Sequence, residues 1–330
     1  MAQAVQATAM LNEEEDQIET SVKPKTAPRQ YELVYRIIII LGYSHMAALY
    51  GLYLCFTSGK WSTIMLNFLL FVMGEIGVMA GAHRLWSHNT YKAKLPLEII
   101  LMIMNSIANQ STVIYWVTVH RVHHKYCDTD ADPHNATRGF FYSHVGWLLV
   151  RKHPEVKKRG KEIDLSDVYN NPVLRFQKKY AIPVIGAFCF VLPTVIPVYF
   201  WGECWMNAWN ITMLRYVVVL HCTFLINSAA HMWGTRPYDK NILPTQNIAV
   251  SFLSCGEGFH NYHHVFPWDY RAAELGNNSL NLTTKFIDFF ARIGWAYDLK
   301  TVSDDMIKAR AKRTGDGTNL WGWEDKDLPK

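Results

Sequence analysis

Three short histidine patterns are the parts of this chain whose spacing could do chemistry: His83-Arg-Leu-Trp-Ser-His88, His120-Arg-Val-His-His124 and His260-Asn-Tyr-His-His264. In both H-x-x-H-H copies the histidines fall at i, i+3 and i+4, which share one face of a helix. Each copy is therefore expected to aim its imidazoles at one small volume. Neutral imidazole is a ligand for iron, zinc or copper. The boxes offer eight histidines, and His231 adds a ninth. A tetrahedral ion takes four ligands and a catalytic one keeps a position open, so nine suit two ions better than one. No carboxylate lies inside the boxes, which separates the pattern from the Glu-x-x-His di-iron bundle.

The elements that must position these boxes are apolar blocks at about 33–56, 61–82, 181–202 and 207–230. Each is long enough for a helix across a hydrocarbon core of about 30 Å. Thr57 to Lys60 separate the first two, and Gly202 to Trp205 fall between the last two, so the blocks read as two tight hairpins. That parity puts the N-terminus, the three boxes, His231 and the C-terminus on one side. His83 and His88 would come straight after the second helix. The stretch 121–180 is rich in Lys and Arg, which marks this side as cytosolic. The sequence thus predicts an all-α integral membrane protein. Its four transmembrane helices form two hairpins under a cytosolic helical cap, and the cap holds a histidine-rich di-metal site.

Residues 95–119 are also apolar enough to span. A span there would put the second box across the membrane from the first, so this block is predicted to be re-entrant or packed against the other helices. Its polar run from Asn105 to Thr112 supports a protein-facing lining. Residues 245–256 are too short to span and should lie on the membrane surface or pack inward. Residues 283–298 read as an amphipathic helix. Residues 1–30 read as a disordered cytosolic tail, 31–298 as the functional domain and 299–330 as a charged cytosolic tail. A formal charge of +5 does not point to nucleic acid, and the six scattered cysteines form no C-x-x-C, so neither a disulfide framework nor a zinc ribbon is expected. With no early apolar core, the first membrane helix is expected to act as the targeting signal.

From about residue 31 to 325 the chain resembles the membrane fatty acyl-CoA desaturases, most closely the insect, moth-type group. The resemblance rests on Gly81 to His88, His120 to Tyr126, Asp128 to Asn135, Gly139 to Trp147, Asn227 to His231 and Gly256 to His264. It implies an endoplasmic-reticulum enzyme with both termini cytosolic, in which two irons activate O2 and no organic cofactor is bound. Electrons would come from NADH through cytochrome b5 reductase and cytochrome b5. The substrate would be a fatty acyl-CoA in contact with membrane lipid, losing two hydrogens from adjacent methylenes. Carried over, the resemblance makes His83, His88, His120, His123, His124, His231, His260, His263 and His264 the metal ligands, with Asn227 holding a metal-bound water. Gln110, Trp116 and Thr223 match the bend of the acyl tunnel, and Arg151 and Lys152 match contacts to the coenzyme A phosphates.

The chain also departs from that pattern. Thr118 and Val119 stand where the family has Arg and an acid, Tyr115 replaces an acid, and Ser111 replaces Asn. The segment Ile242-Leu-Pro-Thr-Gln-Asn247 looks like the delta-11 pheromone group. The expected activity is therefore desaturation at carbon 11 in pheromone-precursor synthesis. The alternatives are a delta-9 or second-step desaturase, a conjugase or acetylenase, and a non-catalytic metal-binding relative. The other histidines get plainer roles: His45 and His221 hydrogen-bond within the spans, and His134, His144 and His153 are structural in the cap.

Overall fold

The computed structural model describes residues 31–273 and 281–318; the predicted tail at 1–30 lies outside them. Contacts divide the chain into Met1–Glu32 and Leu33–Lys330, and all that follows concerns the second unit. Among the described residues, four helices are long and apolar enough to cross a membrane: Tyr35–Thr57, Trp61–Ser87, Ala181–Trp201 and Trp205–Met232. They carry outward-facing apolar side chains such as Ile39, Phe56 and Phe200, a surface suited to lipid. The fourth helix is the hub, with 72% of its most apolar stretch buried against 28% in the first and third.

Small residues let the first helix close on the fourth. Ser44, Ala47, Ala48 and Gly51 lie on its buried face, and a Cβ at Gly51 would run into the Asn210 carbonyl. Such stripes allow close backbone approach where lipid supplies no hydrophobic drive between helices. The hairpin tips lock together. Glu203 Oε2 accepts from the Lys60 backbone N–H at 2.9 Å and from the Thr63 hydroxyl at 2.6 Å, while Lys60 Nζ donates to the carbonyls of Trp201 and Gly202.

The second span changes character before it ends. It is α-helical over Trp61–Ile76 and π-helical over Gly77–Ser87. His83 therefore lies inside the helix rather than after it, and His88 is its C-cap. A π-helical turn widens the helix, a feature concentrated at functional sites. At its start, Gly77 presses against the backbone of Met104 and Asn105, so only a residue without Cβ admits the next helix this closely.

That next helix belongs to the 95–119 block, which is not one straight span. Leu95–Ala108 and Val113–Lys125 are bent by 82°. At the elbow, Asn109 and Ser111 take φ of 47° and 74°, a left-handed turn that Asn tolerates better than most residues. The helix ends exposed there are satisfied by side chains. Arg215, buried in the fourth span, donates to the Ile107 and Cys189 carbonyls. Gln177 accepts from the Val113 N–H at 2.9 Å and donates to Ser106 Oγ at 2.9 Å. The polar run thus faces protein.

In the cap, Ile248–Leu253 is a short helix with Val250 and Ser251 buried and Phe252 exposed. The predicted 283–298 helix is shorter, Leu282–Arg292; Ala296–Tyr297 then pairs antiparallel with Lys92–Ala93. The segment read as a polar tail from 299 instead forms the helix Asp304–Thr314, and its Ile307 is buried with Tyr238, Phe259 and Tyr262. Arg310 pairs with Asp239, and the Thr314 hydroxyl donates to the Tyr238 carbonyl at 2.6 Å, so polar contacts hold the helix as well.

Gly51→Leu should overpack the contact between the first and fourth spans, at a cost of about 1–3 kcal/mol. The expected result is a lower thermal midpoint for the detergent-solubilised protein. Gly42→Ala, with nothing within 4 Å of the new Cβ, should not lower it.

Candidate metal centre

All nine predicted histidines come together, in two clusters. His83, His88, His120, His124 and His263 form one, and His123, His231, His260 and His264 the other; within each, the ligand-capable atoms all lie within 4.8 Å of one another. The expectation that each box serves one volume is wrong. His120 and His124 go to the first cluster and His123 to the second; His260 and His264 go to the second and His263 to the first. Helix geometry explains the split. Residues four apart differ by about 40° around the axis, but neighbours differ by about 100°. The consecutive pairs His123–His124 and His263–His264 must therefore diverge and straddle the two clusters.

The nitrogens are spaced as ligands of a common ion would be. His88 Nε2 lies 2.8 Å from His120 Nε2, and His263 Nε2 lies 2.9 Å from His83 Nε2 and 3.0 Å from His124 Nε2. In the second cluster His260 Nε2 lies 3.0 Å from His231 Nε2 and 3.1 Å from His264 Nε2. Two imidazoles bound at right angles to one ion, with bonds of about 2.0–2.1 Å, would have nitrogens about 2.9 Å apart. His123 Nε2 is buried with no hydrogen-bond partner, a costly state that a metal bond would relieve. The residues fit a metal ion in each cluster.

Protonation agrees. Burial first, then neighbouring imidazoles, hold His88, His260, His263 and His264 well below the ordinary histidine range. Their rings are neutral, as metal ligation requires.

Carboxylates stand behind the rings, outside the boxes. His123 Nδ1 lies 2.9 Å and 3.0 Å from the two Asp132 oxygens. Asp132 also accepts from the backbone N–H groups of Asp128 and His134. Burial raises the Asp132 pKa, but the His123 ring and these donors outweigh it and hold it at about 2. His231 Nδ1 lies 3.3 Å from Asp128 Oδ2, and His83 Nδ1 lies 3.0 Å from Glu257 Oε2. Glu257 is also gripped by the buried Arg84 guanidinium at 2.6 Å. Such partners orient imidazoles and raise their basicity. Sequence reasoning gave them no role. The signals available were the Asp128-Thr-Asp-Ala-Asp132 spacing after the second box and Glu257 one turn before His260. Arg121, between two ligand candidates, was missed as well. It donates to the carbonyls of Trp86 and Ser87 and to both Asp167 oxygens, tying the second box to the first.

A cavity of about 320 Å³ reaches the first cluster, with His120, His134, Asn227, Trp116 and Thr223 in its wall. Its lining is mostly apolar, as in small-molecule sites. Gln110 Nε2 donates to Thr223 Oγ1 at 2.5 Å, and Trp116 Nε1 donates to Gln110 Oε1 at 3.1 Å. The predicted tunnel-bend trio is thus one hydrogen-bonded unit. Asn227 lines the same cavity as His120. Arg151 and Lys152 do not line the cavity; Lys152 Nζ sits 4.7 Å above the ring of Tyr115, which does. Of the remaining histidines, His153 caps the helix Pro154–Gly160, while His134 lines the cavity instead of being only structural.

A family model described as fatty acid desaturase matches residues 58–275. The chain belongs to the fatty acid desaturase family. It is 72% identical to an acyl-CoA Delta(11) desaturase of Spodoptera littoralis, covering all of this chain and 98% of that one. It is 68% identical to an acyl-CoA Delta(11) desaturase of Trichoplusia ni, covering 100% and 95%. A (11Z)-hexadec-11-enoyl-CoA conjugase of Bombyx mori is 61% identical over 94% of each chain. The four spans make the chain a membrane protein.

Asp132→Asn should lower metal affinity about 10–100-fold by removing the charge behind His123. Metal content of the purified protein, read by mass spectrometry, should fall; Asp130→Asn, a change at an exposed position, should leave it intact.

Proposed function

We propose that this chain desaturates a long-chain fatty acyl-CoA at carbon 11, using O2 and two irons, in the endoplasmic-reticulum membrane with both termini cytosolic. The observation that supports it most is the convergence of nine histidines into two clusters, the first of which reaches an apolar cavity through His120. Full-length identity of 68–72% to delta-11 desaturases supports the position. Five nitrogens exceed the four of an ordinary zinc site, and zinc cannot change redox state, so iron fits the first cluster better.

His83, His88, His120, His124 and His263 would hold one iron, and His123, His231, His260 and His264 the other, with Asn227 holding a water. The irons would supply O2 activation for removal of two hydrogens from adjacent methylenes, with O2 becoming two waters. Cytochrome b5, fed by NADH–cytochrome b5 reductase, would supply two electrons. Val119, Trp116 and Leu220 pack an acyl chain and exclude water, and the Gln110–Trp116–Thr223 unit sets its bend. Arg151 and Lys152, on the cap outside the cavity, meet the coenzyme A phosphates.

A second reading, action on an acyl chain that is already unsaturated, is favoured by the 61% identity to a conjugase. Expression in desaturase-deficient yeast fed saturated chains of about 14–18 carbons, with double bonds located by mass spectrometry, separates the two. The expected product carries a bond at carbon 11 and disappears in His263→Ala. A product from a fed monoene alone would establish the second reading, and a bond at carbon 9 would remove the positional assignment.

A further inference from the structure

Three histidines outside the clusters are joined end to end. His45 Nδ1 lies 2.7 Å from the Leu41 carbonyl oxygen, and His45 Nε2 lies 2.9 Å from His221 Nε2. His221 Nδ1 lies 2.9 Å from His144 Nε2, and His144 Nδ1 lies 2.9 Å from Ser228 Oγ. The chain starts in the first span, crosses to the fourth, steps to the cap and returns to the helix break at Ser228.

The carbonyl at its outer end biases its direction. A carbonyl only accepts, so His45 must carry its proton on Nδ1. A neutral imidazole has one N–H, so His45 Nε2 accepts and His221 donates from Nε2. His221 Nδ1 then accepts from His144 Nε2–H, and His144 Nδ1 faces Ser228 Oγ. The Leu41 carbonyl thus favours one order of tautomers along the three rings. The reverse polarity would leave a bare His45 nitrogen facing the Leu41 oxygen. Burial lowers the His144 pKa, in keeping with a neutral ring. The Ser228 hydroxyl also donates to the Phe224 carbonyl at 2.8 Å, so three neutral rings and one hydroxyl bring four protons to five contacts.

We propose that this histidine strut sets the register between the acyl cavity and the metal clusters, and so helps select which carbon reacts; this rests on the desaturase reading above. Each histidine stands behind a cavity wall. His45 is one turn past Leu41, His221 adjoins Leu220, and His144 lies three residues before Trp147; all three neighbours line the cavity. Ser228 follows Asn227, also in the wall, and its carbonyl accepts from the His231 N–H at 3.1 Å. The strut therefore braces three walls against the segment that carries a ligand of the second cluster. Its outer end is a backbone carbonyl within a span rather than water, so it is not a route for supplying protons. These are positioning residues: a wall that shifts by one carbon–carbon step presents a different methylene pair.

The test compares full-length wild type with His221→Leu, His45→Leu and His45→Gln in the same yeast, reading the ratio of positional isomers among products, with metal content measured on each purified protein. Both leucine variants should raise the minor-to-major isomer ratio roughly tenfold at unchanged metal content, the size expected from about one hydrogen bond. His45→Gln can present an amide oxygen to His221 and should keep the wild-type ratio. If His221→Leu fails to fold, His45→Leu, at the end of the strut remote from the metal clusters, decides. Lower yield with unchanged isomer ratios in the leucine variants overturns the proposal, because a merely structural contact would behave that way. A wild-type chain that makes no product overturns the desaturase reading instead, and the strut proposal falls with it.

Discussion

Nine imidazoles must point ligand-capable nitrogens at two small volumes, and the rest of the structure follows from that constraint. A buried ring nitrogen without a partner costs about 1–3 kcal/mol, and here such nitrogens are crowded together. The arrangement holds because several rings are gripped from behind: His123 by Asp132, His231 by Asp128, His83 by Glu257. The split of each H-x-x-H-H box has a further consequence. Since consecutive histidines diverge, each of these boxes feeds both clusters. Neither cluster can assemble from fewer than three chain segments. A metal bound there would therefore cross-link the second span, the bent helix pair, the fourth span and the cap, coupling ligation to folding.

The membrane adds a second demand, that no backbone polar group be left in lipid without a partner. Bringing the second box back to the first requires an 82° bend, and a bend frees helix-end groups. Arg215 and Gln177 are the answer. Each is a long polar side chain buried where a charge or amide would otherwise be costly; Arg215 donates to the Ile107 carbonyl at the bend and to the Cys189 carbonyl of the third span, and Gln177 accepts from the Val113 N–H. Gly77 gives the bent block room against the second span. The π-helical end of that span then carries His83 and His88 inward from it. Bend, arginine and π-helix are one solution to one problem.

Much of this was legible in the sequence. Apolar blocks gave the four spans, because a hydrocarbon core sets length and composition directly. The histidine spacing gave the ligand candidates, and the parity argument gave the bent block. What was not legible depends on contacts across the chain. Nothing local distinguishes a π-helical end from an α-helical one over Gly77–Ser87. The partition of five and four comes from how four chain segments face each other, which no single box contains. Glu257 and Asp132 look like ordinary loop acids until His83 and His123 stand beside them. Ile307 docked a segment whose composition reads as a polar tail, because burial of one side chain in a prepared apolar cluster is invisible to average polarity.

The departures from the family pattern become intelligible in the same terms. Thr118 satisfies its hydroxyl on the Ile114 carbonyl at 2.7 Å, within its own helix, and needs no partner from a head group. Val119 is buried and faces the cavity, so a position charged in the resemblance has become apolar wall. Tyr115 stands where an acid is usual, and the Lys152 ammonium lies 4.7 Å over its ring. A carboxylate there would have neutralised part of the lysine's charge. A ring attracts the ammonium by only about 0.5–2 kcal/mol and leaves its net charge whole. A cation held in place yet not cancelled is well suited to meet phosphate. The substitutions therefore give an apolar wall at Val119 with the Lys152 ammonium over the Tyr115 ring at its edge. That is a change in how an acyl-CoA would be gripped, and it leaves the histidine clusters untouched.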